Sequence, residues 1–399
     1  MKSNRFLSAI FSIVGVGSFA DTSFGQGLLG IGGNADFKTD IPFTTTVGVD
    51  FGWDKLNYKN LDQSTSSPYL RGGIDLAYGY RGKTTQYNVN VDLSSVHYFK
   101  NTPGLDENNY NARLGFNFAH AFSPRLSFNN DFYVTYETEP NYAIGAVSGQ
   151  RGKPYLYGYE NLSLSYAWSK RFTTTTGLTL AGVYYDSNER KTENRLTSTL
   201  AQQFKYALSQ LSQLVLEYRF SYTQYEKVQD LDAYSHFLLV GIEQAFSPKL
   251  SLSARAGAEL RHTDRAGDQL APYVEAALRY VASKQTSFRW YHSLGFDNSD
   301  LSSYKYRYSY RTGISASHQF NQRFSTTAGL NYAYSTFKSN VSKQGDGTEH
   351  DVDASVGLAY RLFSNVNLTA SYAYTIISSS QKTNDSDRHR VSVGVNASF

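Results

Sequence analysis

The chain has 399 residues, a formal charge of +4 and no cysteine. Without cysteine there can be no disulfide framework, thiolate metal site or cysteine nucleophile, and so small a charge without a basic run offers nothing to a nucleic acid. Tyrosine (33) and phenylalanine (25) are abundant, proline is scarce (8) and the mean hydropathy is −0.45. A bundle of membrane helices would be far more apolar, whereas a β-barrel with a wet interior averages to such a value.

Lys2 and Arg5 precede an apolar stretch from Phe6 to Phe19, and small residues then permit cleavage after Ala20 or as late as Gly25. This is the pattern of a signal peptide. The apolar run is shorter than the roughly 20 residues a membrane helix needs. Residues 21–42 are glycine-rich and irregular, a short periplasmic segment with too little chain for a plug domain. An exported chain built of amphipathic strands is expected in the bacterial outer membrane.

Strands begin at Phe43. Thr45, Val47, Val49, Phe51 and Trp53 share one face, while Asp50 and Asp54 lie on the other with Gly48 and Gly52. Thereafter the chain repeats with a period of roughly 40 residues, two alternating strands joined by a short turn. The turns are chemically alike: AFSPRLSF at 121–128, WSKRFTT at 168–174, AFSPKLSL at 245–252, QFNQRFST at 319–326 and LFSNVNLT at 362–369, with looser members at 81–84, 208–211 and 283–286. Longer polar stretches separate the units, at 59–68, 99–109, 138–156, 187–193, 227–232, 264–269, 299–303, 338–348 and 380–386. Short turns alternating with longer loops predict a transmembrane, antiparallel, up-and-down all-β barrel of about 18 strands, its short turns periplasmic and its longer loops extracellular. The count falls to about 16 if the turn at 208–211 and the strand beginning near Asn194 fail to form.

Parity within the strands separates lipid from lumen. Leu114, Phe116 and Phe118; Leu126, Phe128, Phe132, Val134 and Tyr136; and Leu214, Leu216, Tyr218, Phe220 and Tyr222 form lipid-side runs. In 304–319, Tyr304, Tyr306, Tyr308 and Tyr310 share a face with Ile314, and Lys305, Arg307 and Arg311 take the other. An arginine facing lipid at mid-bilayer costs roughly 2–4 kcal/mol, so the cations belong to the lumen. Arg255, Arg261, Arg279 and Arg289 extend this basic arc, moderated by Glu259 and Glu275. The early strands contribute Asp50, Asp54, Asp75, Asp92, Asp131 and Glu137, with Arg71 and Arg113 among them. Opposed arcs of this kind would set up a field across the pore. The third long loop, 138–156, has glycines that would let it fold inward.

The eight histidines are scattered without ligand spacing, and no nucleophile or phosphate-loop motif occurs. His120, His292 and His389 can point outward, but no serine is singled out beside them. No enzyme, metal or cofactor is expected.

The chain ends DRHRVSVGVNASF. Val391, Val393, Val395, Ala397 and Phe399 alternate with Ser392, Gly394, Asn396 and Ser398, which predicts a closing strand paired with 43–58. This ending resembles the C-terminal signal read by the barrel assembly machinery. The chain as a whole, with its F-S-P-[RK]-L turns at 122–127 and 246–251, resembles the family Putative beta-barrel porin 2 across essentially the mature sequence. That resemblance implies an outer-membrane channel, in some members associated with exported polysaccharide. The expected function is passive diffusion of small hydrophilic solutes through a charged lumen. The alternative is a structural or export-associated barrel with a closed lumen. The expected partners are outer-membrane lipids, the assembly machinery, and small solutes or saccharides.

Overall fold

The computed structural model describes residues 43–58, 63–100, 106–138, 154–185, 187, 191–298, 304–339, 345–380 and 385–399. The signal peptide and periplasmic segment expected over 1–42, and most of the loop 138–156, lie outside them.

The strands are β1 (Phe43–Tyr58), β2 (Gln63–Arg81), β3 (Thr85–Tyr98), β4 (Asn108–Ala121), β5 (Leu126–Glu137), β6 (Tyr155–Ala167), β7 (Phe172–Tyr185), β8 (Arg195–Ala207) and β9 (Ser212–Tyr225). They continue as β10 (Ala233–Ser247), β11 (Leu250–Thr263), β12 (Gly267–Ser283), β13 (Thr286–Asp297), β14 (Tyr304–Gln319), β15 (Phe324–Ser339), β16 (Gly347–Arg361), β17 (Val366–Ser379) and β18 (Ser386–Ser398). Each pairs antiparallel with the next, and β18 returns to β1 in a register running from Thr46↔Ser398 to Tyr58↔Ser386. The sheet therefore has no free edge. Phe399 closes the seam, its N–H donating to the Thr45 carbonyl at 2.8 Å and its carbonyl accepting from the Thr45 N–H at 3.0 Å. The 18-strand reading holds, including the turn at 208–211 and the strand near Asn194.

The short turns owe their likeness to one capping device. In the turn after β4, Ser123 Oγ accepts from the N–H groups of Arg125 (3.2 Å) and Leu126 (3.0 Å). Ser169, Ser247 and Asn321 do the same after β6, β10 and β14. A short polar side chain holding backbone donors two and three residues on is what fixes these bends. Before each cap stands an exposed Phe122, Trp168, Phe246 or Phe320, an aromatic girdle at the periplasmic edge.

Two differences from the sequence reading have local causes. Tyr304 is 1% exposed and packs on Phe337 inside the barrel, not beside Tyr306 on the lipid side. The register slips between Tyr304 and Tyr306, and this bulge breaks the alternation, so parity no longer assigns Lys305 to the lumen. The connection between β11 and β12 is only 264–266, tightened by Gly267 at φ 69°.

Candidate pore lining

With strands about 4.8 Å apart and tilted about 40°, eighteen enclose a ring roughly 35 Å across between backbones, wide enough for an aqueous channel. The inward face is set by register. On β1 the exposed residues are Phe43, Val47, Val49, Phe51, Trp53 and Lys55, while Asp50, Gly52, Asp54 and Leu56 face in. Carrying that parity around the pairings places Arg71 and Asp75 (β2), Asp92 (β3), Arg113 (β4), Asp131 and Glu137 (β5) on the lumen side. It does the same for Arg255, Glu259 and Arg261 (β11), Glu275 and Arg279 (β12), Arg289 (β13), and Arg307 and Arg311 (β14).

The two halves of this wall differ. On the early strands the carboxylates are held mainly by hydroxyls and amides. Asp54 is buried and clamped by Arg388, whose Nη2 and Nε donate at 2.6 and 3.0 Å, with the Tyr98 hydroxyl adding a bond of 3.1 Å. Asp131 accepts from Asn117 at 2.6 Å, and Asp92 from Asn90 at 3.4 Å. Asp75 lies directly opposite Asp92, which in turn faces Arg113. Arg113 stacks over the Tyr133 ring at 4.6 Å.

From β8 to β14 the charges interlock. Lys205 bonds Glu243 at 2.8 Å, and Glu243 meets Arg255 at 2.9 Å. Arg255 reaches Glu217 at 2.8 Å, and Glu217 is bonded to Arg219. Arg219 closes the chain with two bonds to Glu275, of 2.9 and 2.7 Å, and the Tyr273 hydroxyl donates to the same carboxylate at 2.8 Å. Glu259 accepts from the Ser235 hydroxyl at 2.8 Å and the Phe296 N–H at 3.2 Å. Arg311 donates to Asp297 at 2.6 and 3.1 Å. Arg307, 0% exposed, donates to Ser335 at 3.0 and 2.9 Å. Near the extracellular end Arg261 donates to Asn298 (3.0 Å), which donates to Thr197 on β8 (3.3 Å), five strands away from β13. The rim is drawn inward there. Arg279 and Arg289 are cross-strand neighbours near the periplasmic end, both half-buried.

The basic arc is thus half of a mixed-sign ladder. Sequence reasoning had Glu259 and Glu275 but missed Glu217, Arg219, Glu243, Asp297, Glu349, Asp351 and Asp353. The signal is in the sequence: Leu214 to Tyr222 alternate as a lipid-side run, so Glu217 and Arg219 between them must face in. All eight histidines face outward, most of them bonded to a hydroxyl, as in Tyr218–His236 (2.8 Å), Tyr332–His350 (3.0 Å) and Tyr372–His389 (2.9 Å). Among the described residues no three His, Asp or Glu side chains converge as a metal site.

Comparison with curated proteins gives no match. Among solved structures the chain is similar to Pseudomonas aeruginosa OpdK with vanillate (10% identity, covering 90% of this chain and 99% of that one, TM-score 0.47). It is also similar to a BenF-like porin from Pseudomonas fluorescens Pf-5 (13% identity, 90% and 99%, TM-score 0.47) and to Pseudomonas aeruginosa OccK2 in complex with glucuronate (10% identity, 90% and 98%, TM-score 0.46). Residues 178–399, more than half of the sequence, match the profile of one family, so the match is carried by β7 to β18. The chain belongs to that family, Putative beta-barrel porin 2, and is an outer-membrane β-barrel of the porin type.

Proposed function

We propose that the barrel is a passive channel for small hydrophilic solutes and does no covalent chemistry. The observation that carries this is the closed ring of eighteen strands whose inward face carries charged and hydroxyl side chains in both its early and its later strands. Every histidine turns away from that lumen, so a solute in transit meets no imidazole base. The interlocked wall of β8 to β14 is a fixed bank of dipoles, and Arg279 and Arg289 place two cations on the lumen face near the periplasmic end. Asp50, Asp75, Asp92 and Asp131 oppose them from the early strands. In this reading residues 1–20 export the chain, 21–42 form a short periplasmic segment, and Val391, Val393, Val395 and Phe399 are the residues the assembly machinery reads.

Solute uptake tests the proposal. Liposomes carrying the refolded barrel should admit small sugars and small charged solutes at rates falling with size. The inward-drawn rim at Thr197, Asn298 and Arg261 favours the second reading, an export-associated barrel that is closed at rest. In that case liposomes with fully folded barrel would admit nothing.

A further inference from the structure

Glu160 faces the membrane. Its register partners Phe132 and Leu180, and the run Leu162, Leu164, Tyr166 on its own strand, put it on the lipid side of β6. It lies six residues from Tyr166 and four from Leu156, and Leu156 pairs with Tyr136 and Tyr184 of the extracellular girdle. At about 2.5 Å of membrane depth per residue for a tilted strand, Glu160 sits inside the apolar band of about 25 Å. Among the described residues the other lipid-facing Asp, Glu, Lys and Arg side chains of the strands, Lys55, Asp268, Lys338 and Asp387, all lie near the extracellular strand ends. A carboxyl group in hydrocarbon needs a partner.

The surrounding wall is also unusual. The Asn130 side-chain N–H donates to Glu160 Oε1. The Oε2 atom accepts from none of the described residues. Thr176 donates to Gln202 at 2.7 Å on the same face, and Ser198 lies opposite Leu180. Beside Glu160, Gly158 and Gly182 are cross-strand partners, both lipid-facing. A Cβ at Gly158 would meet nothing within 4 Å, and one at Gly182 would come only to 3.4 Å from Leu196. The result is a notch without side chains next to a polar group with unused bonding capacity. Small residues that let backbones approach, with polar side chains alongside, are the means by which protein segments associate within lipid.

We propose that this face of β5 to β8 docks a second copy of the chain. The patch is self-complementary: Asn130 keeps a second N–H and Ser198 offers a hydroxyl, while Glu160 keeps an acceptor oxygen. Two copies about a two-fold axis satisfy one another, residue i meeting j and j meeting i. Elsewhere on the described lipid wall His292 stands in mid-β13, but it has neither a carboxyl group nor a glycine notch beside it, so a head-to-tail contact matches this patch less well than a second copy of the patch itself.

The chain has no cysteine of its own, which makes a single introduced one unambiguous. In outer membranes, Gly158→Cys treated with a short cysteine-specific cross-linker should yield mostly linked pairs of chains. Ala354→Cys, on the lipid face of β16, should yield few. Adding Asn130→Leu and Glu160→Leu to Gly158→Cys should remove the linked pairs while leaving the barrel folded by its heat-dependent gel shift, since both changes place apolar groups in lipid. The proposal is overturned if Gly158→Cys links no more than Ala354→Cys, or if linking persists undiminished in the triple variant.

Discussion

Arg219 on β9 and Glu275 on β12 are joined across two intervening strands by parallel bonds of 2.9 and 2.7 Å, with both side chains buried in the lumen wall. Such a pair fixes the wall more than it attracts solute, because each charge is already neutralised by the other. Its value lies in what breaking it would leave behind. Arg219→Met strands Glu275 with only Arg255, at 3.6 Å, and the Tyr273 hydroxyl. Removing one partner of a buried pair costs about 3–5 kcal/mol, so the urea midpoint of the refolded barrel should fall accordingly. The double variant Arg219→Met/Glu275→Leu should recover much of the loss. An Arg219→Met barrel as stable as the parent would show that water reaches and solvates Glu275.

Selectivity should follow a different pair. Arg279→Gln with Arg289→Gln removes two half-buried cations from the lumen face, and the reversal potential in a salt gradient should move toward cations. Arg311→Gln should move it less and destabilise the barrel more, because Arg311 is bonded to the buried Asp297. Equal shifts from the two variants would contradict this division.

Alternation made most of the fold readable. One face of each strand is apolar because lipid demands it, so strand number, hairpin turns and the lumen side of Arg255, Arg289 and Arg311 could be taken from parity. The pairing of those charges could not. Whether Arg219 meets Glu275 depends on the relative stagger of β9 to β12, which periodicity leaves open. A bulge defeats parity outright, as Tyr304 shows: nothing in YKYRYSY announces that one tyrosine turns inward. Glu160 was legible as well, since Leu162, Leu164 and Tyr166 alternate on the same side of β6 as Glu160.

Closure of the seam depends on a glycine. A Cβ at Gly394 would come within 1.9 Å of Asp50 Oδ1 and 2.6 Å of the Val49 carbonyl. Gly394→Ala should therefore lower the yield of folded barrel, and Gly394→Ala/Asp50→Ala should recover part of it. Since the Val49 carbonyl remains, full recovery is not expected. A heat-shift gel comparing folded fractions checks both.

Removing Phe399 takes away the two backbone bonds to Thr45 and a side chain that is 72% exposed, leaving the lumen face untouched. Assembly in cells should drop sharply, while the conductance of whatever barrel does fold should stay unchanged. Normal insertion would mean that the terminal aromatic is not read.

Acid should loosen one extracellular clasp, and only at low pH. Asp346 lies outside the strands, where a hydrogen bond from Lys338 (2.7 Å) and another from the Ser339 N–H (3.1 Å) hold its carboxyl below the usual range. A depressed value means the contribution is complete above the ordinary aspartate pKa of about 3.9 and is lost as pH falls through the lower folded value. Amide exchange at Ser339 should be steady from neutral pH to about 5, and should accelerate beyond its intrinsic pH dependence only below about 4. In Asp346→Ala, which removes this acceptor, it should be faster throughout. Loosening that begins near the histidine range would point to another group.

The proposed channel requires an open path through the eighteen-strand ring. Planar-bilayer recording of the refolded mature barrel tests it most directly. Stable, uniform conductance steps in simple salt are the predicted result. A preparation that is fully folded by its heat-dependent gel shift yet gives no steps would contradict an open path.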